Sequence, residues 1–463
     1  MDTIHKHIHL KKLMLALALL SGCAKQSNSP YCDQESNCNL IINGVNVVDV
    51  ATKKVIKNQR VTVKQGVITN IQSMAESVEN TFAKQVDANG GYITPGLIDM
   101  HVHAYDKGAF ELSLSHGVTH VRVMNGIKQH IQWREAQKSG WLASSMSVSS
   151  PIIGSGEPQP LNWMVNSIQE AKMAVQKAKE MGYDLIKVYG NISKPSLGAV
   201  LDEAEKLAIP VAKHGPHPVS GMEWDSLRGL QSLEHVEDIF QGPLDFQFDH
   251  KKLEQAISQL KRTKTPVTPT LNVFWQLSQL SLYKESFIDE LPINYISPII
   301  AWEAKNNQVA RWINSSGTMV QHNQEVLAFL KLITKELNEH EIPLLVGSDA
   351  GVLLSPHGIA THNELKLLKE SGLNEFSILQ AATLRPAVAL GMGNVIGQVR
   401  EGFNADFIFT RSDPTVDVTI LSSPEAVIKR GRWLSKGDLK LMRKRAQESR
   451  SWWSELLVLL TNY

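Results

Sequence analysis

The stretch "TPGLIDMHVH", residues 94–103, decides how the rest of this chain is read. Ile98, Met100 and Val102 are apolar, and Asp99, His101 and His103 alternate with them. A strand places residues i and i+2 on one face. Two imidazoles are therefore aimed side by side from the end of an apolar strand, and a metal ion is the chemistry that asks for such a pair.

Working outward, "GVTHVRVMN", "SMSVSSPII", "DLIKVYG", "IPVAKHG", "SLEHVED", "PVTPTLNVF" and "PLLVGSDAG" read as further apolar strands. Stretches of helical periodicity such as "SIQEAKMAVQKAKEMG" and "SLGAVLDEAEKLA" separate most of them. Strand–helix alternation predicts parallel strands joined by crossovers. Eight of them, over residues 94–393, match a (β/α)8 TIM barrel. An open doubly wound sheet would bring a Gly-rich phosphate loop after its first strand, and none follows "GLIDMHVH". The segment from about 270 to 325 is too long for a simple crossover and is expected to carry extra helices. Short alternating strands flank this region, at residues 39–93 and 394–435, and predict one small β domain built from both sides of the barrel. The α/β class is thus a barrel with a small β-sandwich.

Side chains at the C-terminal ends of barrel strands converge on one pocket. The polar residues there are His101 and His103 on strand one, Lys187 on strand four, His214 on strand five, His235 on strand six and Asp349 on strand eight. Imidazoles with a carboxylate suit a divalent ion such as zinc, one or two of them. Lys187 is the odd member, because an ammonium repels cations. A buried lysine lowers its pKa, and the neutral amine reacts with carbon dioxide to give an anionic carbamate that bridges two cations.

The composition, 43% hydrophobic and 20% charged with a net charge of +1, supports a large core and gives no electrostatic case for nucleic acid. The first residues have another character. Lys6, Lys11 and Lys12 precede the apolar run "LMLALALL", which is too short to span a bilayer. It leads into "LSGC", which resembles a bacterial lipobox with Cys23 as the lipidated residue, so residues 1–22 are expected to be a signal peptide. Acyl chains on Cys23 anchor a protein to a membrane surface, and Ala24 in place of Asp favours the outer membrane, facing the periplasm. Residues 23–38 read as a polar tether, where Cys32 and Cys38 are candidates for a small-loop disulfide in an oxidising compartment. At the other end, residues 436–463 combine basic residues with Trp452, Trp453 and a leucine run. That pattern fits a helical tail that packs on its own domain, or one that lies on a membrane.

Taken in order, "PGLIDMHVH", "IKVYG", "VAKHG", "LEHVED" and "GSDAG" resemble the amidohydrolase superfamily of metal-dependent hydrolases. The branch most similar is the imidazolonepropionase-like and Xaa-Pro dipeptidase (prolidase)-like one. "SPHGIATHNELKLLKESGLNEFSILQAATLRPAVALGM" and "GQVREGFNADFIF" extend the resemblance to roughly residues 39–435. The resemblance implies that His101 and His103 ligate one metal, that carbamylated Lys187 bridges, and that His214 and His235 ligate a second metal. Asp349 is implied as a ligand of the first metal and as the general base. A cation brings the pKa of a water to near 7, and Asp349 then carries its proton to the leaving nitrogen.

Three residues are expected to touch substrate: Tyr189, two after the lysine; His217, in "HGPHP"; and His357, after strand eight. Three features depart from the family's pattern at what the reading takes as the pocket rim: Val123 where related sequences carry Asp, His120 where they carry a small residue, and "HGPHP". The expected reaction is hydrolysis of an amide in a short peptide, an N-acyl amino acid or a cyclic compound. A deaminase or lactonase would use the same site, and a catalytically silent lipid-anchored binding protein is the reading from a different class. The expected partners are a small-molecule or short-peptide substrate and a membrane, with room for a homo-oligomer.

Overall fold

The computed structural model of the protein describes residues 39–76, 84–159, 161–215 and 224–461. Cys23, Cys32, Cys38 and His217 lie outside the described residues, as do the expected signal peptide and tether.

In chain order the strands are β1 (Leu40–Asp49), β2 (Lys54–Lys64), β3 (Val67–Ser73), β4 (Lys84–Asp87), β5 (Tyr92–Pro95), β6 (Leu97–Val102), β7 (Val118–Val123) and β8 (Ser145–Val148). There follow β9 (Ile152–Gly154), β10 (Asn162–Met164), β11 (Ile186–Val188), β12 (Val211–His214), β13 (Ser232–Glu234), β14 (Val267–Thr268), β15 (Phe407–Thr410), β16 (Ala426–Lys429) and β17 (Arg432–Ser435).

Strands from both sides of the chain share one mixed sheet. Its order is β17-β16-β15-β5-β1-β2-β3, with β4 paired to β1. β1 organises it, because a register shift between Ile42 and Val45, with Gly44 at φ +63°, bends the strand. Its first half pairs β4 and its second half pairs β5. The bend lets Leu40, Ile42, Val45 and Val47 close over Phe407 and Phe409 in a core of their own.

The middle of the chain is parallel. β6, β7 and β8 pair in sequence, and β9, β11, β12, β13 and β14 do so in a second set. Single bridges join the sets: Ser149 to Leu185, Val267 to Leu344, and Val102 to Ala350. The last is reinforced by Met100 N–H to Val346 C=O and His103 N–H to Ala350 C=O, both 2.8 Å. The run of parallel pairings therefore returns to β6. Every residue of β6 and β7 is buried, as expected of strands covered on both faces. Helices at Ile168–Glu180 and Lys194–Lys206 cover the outside, each begun by a serine that caps its first turn. The 270–325 segment carries the extra helices expected of it, among them Leu271–Tyr283 and Pro298–Asn306, ahead of the long helix Gly317–Glu339.

The tail packs. Helix Lys436–Glu448 lies on helix Lys107–Ser115, with Leu439 and Met442 against Leu114 and Leu434. Ser435 and Asp438 form a capping box at its start. Ser435→Ala is expected to lower stability by about 1 kcal/mol, read as an earlier urea midpoint at unchanged slope. Arg450 then reaches Asp106, 3.0 Å from Nε to Oδ1, and helix Trp452–Thr461 follows. Among the described residues no helix is long and apolar enough to cross a membrane.

Candidate metal centre

Five aromatic rings stand in a row where the parallel strands end. His103 and His101 are 5.3 Å apart between centroids, His101 and His235 4.8 Å, His235 and His214 4.3 Å, and His214 and Tyr189 4.5 Å. Asp349 Oδ1 lies 3.0 Å from His103 Nε2 and 3.6 Å from His101 Nε2. His101, His235 and Asp349 each offer a ligand atom within 4.8 Å of the other two. Among the described residues this is the group of histidine, cysteine and acidic side chains close enough to share an ion.

The rings are oriented from behind. His101 Nδ1 meets Glu234 Oε2 at 2.8 Å, and His214 Nδ1 meets Asp238 Oδ2. An ionised carboxylate only accepts, so in both rings the proton sits on Nδ1. His235 Nδ1 meets Thr270 Oγ1 at 2.6 Å, and that hydroxyl already donates to the Pro269 carbonyl at 2.8 Å. It must therefore accept from His235. All three imidazoles then carry their lone pair on Nε2, the state a cation requires.

Backbone strain concentrates here. His235 (φ +70°), Asp349 (φ +52°) and Thr270 (φ +53°) all occupy the left-handed region. Such a conformation costs an L-residue about 1–2 kcal/mol and persists only where surroundings over-determine it. Asp99 supplies part of that constraint. Its buried carboxylate accepts from the Ser348 N–H, the Ser348 and Thr361 hydroxyls and the His101 N–H, which ties β6 to the segment carrying Asp349. Gly351 is required beside it: a Cβ there would lie 1.8 Å from the His103 carbonyl oxygen.

A buried ion pair backs the row. Arg122, fully buried on β7, donates from Nη2 to Glu234 Oε1 at 2.7 Å, and from its other nitrogens to the Met100 carbonyl, Gln231 and Ser232. Burial alone would raise the Glu234 carboxyl, but the Arg122 guanidinium and His101 hold it well below its usual range. Burial likewise would raise Asp349, and His101, His103 and His235 together bring it down. Burial lowers His101 to about 4 and puts His235 well below its ordinary value, so both are neutral at pH 7. Lys187, on β11, is 1% exposed, and its Nζ has no hydrogen-bond partner. Burial lowers it to about 8, with Arg122 adding to the fall while Glu234, Asp349 and Asp238 oppose it.

The residues expected to meet substrate fall in different places. Tyr189 is 41% exposed and packs against His214 with the two rings tilted by 56°. His357 is buried and hydrogen-bonds the backbone of His103, so it braces the loop rather than opening onto solvent. His217 lies outside the described residues. The expectation that His120 and Val123 stand at a pocket rim is corrected. His120 bonds Ser147 Oγ at 2.9 Å and sits beside Lys429 and Asp406, at the junction with the mixed sheet. Val123 is a core residue of the parallel region. Sequence reasoning passed over Arg122, Glu234, Asp238 and Thr270. Glu234 offered no signal: in "SLEHVED" alternation sets it opposite His235, and only its bonds to Arg122 and His101 show it turned inward. Arg122 offered only its unusual place within an apolar strand.

The donor set of imidazole nitrogens, a carboxylate oxygen and an unpartnered buried amine fits a divalent cation. Residues 299–434 match the Amidohydrolase family, a stretch that includes Asp349 and β15 but none of the ring-forming histidines. The chain is 24% identical over 212 residues to a dihydroorotase of Geobacter metallireducens, covering 43% of each chain. It spans less than half the length of the curated relatives it matches. Two solved structures share its α/β fold: a Xaa-Pro dipeptidase with bound methionine in the active site (TM-score 0.65, 20% identity, 86% of this chain and 100% of that one) and a bottromycin amidohydrolase (TM-score 0.71, 21% identity, 91% and 94%).

Proposed function

We propose that the protein is a metal-dependent hydrolase that breaks an amide C–N bond in a short peptide, an N-acyl amino acid or a cyclic amide. The observation that carries this reading is Lys187: a buried amine without a hydrogen-bond partner, among imidazoles that present bare Nε2 atoms. Nothing in a purely structural core accounts for that combination, because an unpaired buried amine costs several kcal/mol. The matched family, the dihydroorotase relative and the dipeptidase-like fold all point the same way. Read with the parallel strands closing on themselves, the fold is a (β/α)8 barrel over residues 94–393. The mixed sheet is then its small β-sandwich.

In this reading His101, His103 and Asp349 would hold one divalent ion, zinc by the chemistry of its donors, and His214 and His235 would hold a second, with carbamylated Lys187 as a further ligand. The ions, when bound, polarise the scissile carbonyl and acidify the attacking water. The chain does the rest. Asp349 Oδ1 takes a proton from that water and delivers it to the leaving nitrogen. Glu234, Asp238 and Thr270 keep each imidazole in one tautomer, so the lone pairs stay aimed as substrate enters. Tyr189, at the exposed end of the ring row, contacts the substrate.

The purified protein is expected to contain zinc or a similar ion and to hydrolyse members of a panel of dipeptides, N-acyl amino acids and cyclic amides. Chelation should abolish turnover and zinc should restore it. A protein that binds no metal and stays inert after zinc addition would sink the proposal and favour a binding role. Thr270→Val removes the acceptor for His235 Nδ1–H. It is expected to weaken zinc binding by roughly 10–100-fold, measured by competition with a chromophoric chelator. Cys23 is proposed to carry the lipid that holds the enzyme at the outer membrane, facing the periplasm. The mass of the N-terminal peptide tests this.

A further inference from the structure

The tail helix Trp452–Thr461 presents two unlike faces. Glu455 is buried, accepting from Ser297 Oγ and from the Ile299 N–H at 3.2 Å, at the start of helix Pro298–Asn306. Val458 packs on the main core. The other face is apolar and open: Trp453 is 77% exposed and Leu460 63%. They are seven residues apart, two helical turns, and so lie one above the other. Trp452, one position earlier and about 100° around the helix, meets the exposed Trp302 edge-on at 5.9 Å. Three exposed tryptophans and a leucine thus lie on two neighbouring helices. Single exposed apolar residues need no explanation, whereas a contiguous aromatic patch marks a contact.

We propose that this face docks on the lipid bilayer, so that the protein is held to the membrane at two points. The proposal rests on the lipid-anchor reading of Cys23. The helix has ten residues, about 15 Å long at ~1.5 Å per residue. A hydrocarbon core is about 30 Å thick, so the helix lies in the interface rather than crossing it. Tryptophan suits that depth, with an apolar ring and an N–H for the headgroups. Charge agrees as well: residues 436–463 hold six basic and three acidic side chains, and Lys440 and Lys444 are exposed, as an anionic headgroup layer favours. The tether decides between a bilayer and a second copy of the chain. Cys23 precedes the first described residue, Asn39, by 16 positions, at most about 55 Å of chain even if fully extended. An anchored protein therefore meets the bilayer at high effective concentration, and a weak interfacial contact suffices.

The test is the full chain, matured in a bacterial host and mixed with vesicles of phosphatidylethanolamine and phosphatidylglycerol that contain brominated phosphatidylcholine. Bromine on the acyl chains is expected to quench tryptophan emission. W302Q/W453Q is expected to reduce that quenching by roughly two-fold or more, while the anchor keeps the protein on the vesicles. Vesicle-bound protein with no quenching, or equal quenching in the variant, overturns the proposal and leaves the anchor standing. If the N-terminal peptide carries no lipid, the anchor reading falls, and co-sedimentation with vesicles that depends on Trp453 still supports docking. Neither lipid nor Trp453-dependent co-sedimentation overturns both. A dimer that W302Q/W453Q dissociates, without quenching in the parent, assigns the face to a second copy and also overturns docking.

Discussion

Lys187→Ala is expected to cost about 10³-fold in turnover, the equivalent of ~4 kcal/mol of transition-state stabilisation, and to empty much of the metal site. The cause is local. Lys187 Nζ is buried without a hydrogen-bond partner, and burial lowers its pKa to about 8. A useful fraction is then the free amine near neutral pH. In the proposed reading that amine attacks carbon dioxide, an N–C bond forms, and the proton leaves to solvent. The product would be an anion where an ammonium stood, and together with His101, His103, His214, His235 and Asp349 it would be able to hold two cations. Alanine removes the bridge but also removes a desolvated amine, so the fold should be no less stable. Loss of metal and activity at unchanged or higher Tm, with part of both recovered in millimolar acetate or propionate, is the expected pattern. Metal analysis and a titration with the acid check it. Full activity in the variant would remove the bridge from the mechanism.

Arg122→Met is expected to lower stability by about 3–5 kcal/mol, because it strands Glu234 as an unpaired buried charge. Arg122 and Glu234 are both fully buried, at 2.7 Å, so water cannot screen what remains. The sign follows from the folded-state pKa. Glu234 is held well below its ordinary 4.5, so its ionisation stabilises the fold above that pH, and the contribution is lost as pH falls through the folded value. Without the guanidinium, burial takes over and Glu234 becomes protonated at higher pH. Its Oε2 then ceases to be a pure acceptor for His101 Nδ1, and zinc affinity should fall with stability. Pairing Arg122→Met with Glu234→Gln removes the stranded charge and should recover part of the stability. A double-mutant cycle in urea reads the coupling. A single Arg122→Met variant as stable as the parent would show that the pair carries no such role.

Much of the site was visible along the chain because strand periodicity is local. Alternation alone puts His101 and His103 on one face, and the position of His214, His235 and Asp349 at the ends of apolar runs marks them as neighbours once strands lie parallel. Lys187 stood out by the same rule. The division into flanking strands and a strand–helix middle was equally local.

What periodicity cannot specify is the partner on the far side of a side chain. Arg122 meets Glu234 across 112 positions of sequence, and Asp99 meets Ser348 across 249. Those pairings exist only because parallel strands return to β6. His120 obeys the same alternation as Arg122 but lies nearer the start of β7, so it meets Ser147 and the charges of Lys429 and Asp406 instead of the ring row. His357 is polar and follows an apolar strand, as a substrate residue would, yet the chain folds it beneath His103. The sequence by itself determined which side chains could ligate, since residue type and face are properties of a few consecutive positions. Only the tertiary structure decided which nitrogen each imidazole presents, because a tautomer is set by a hydrogen bond, and every one of those bonds comes from a different strand or helix start than the ring it holds.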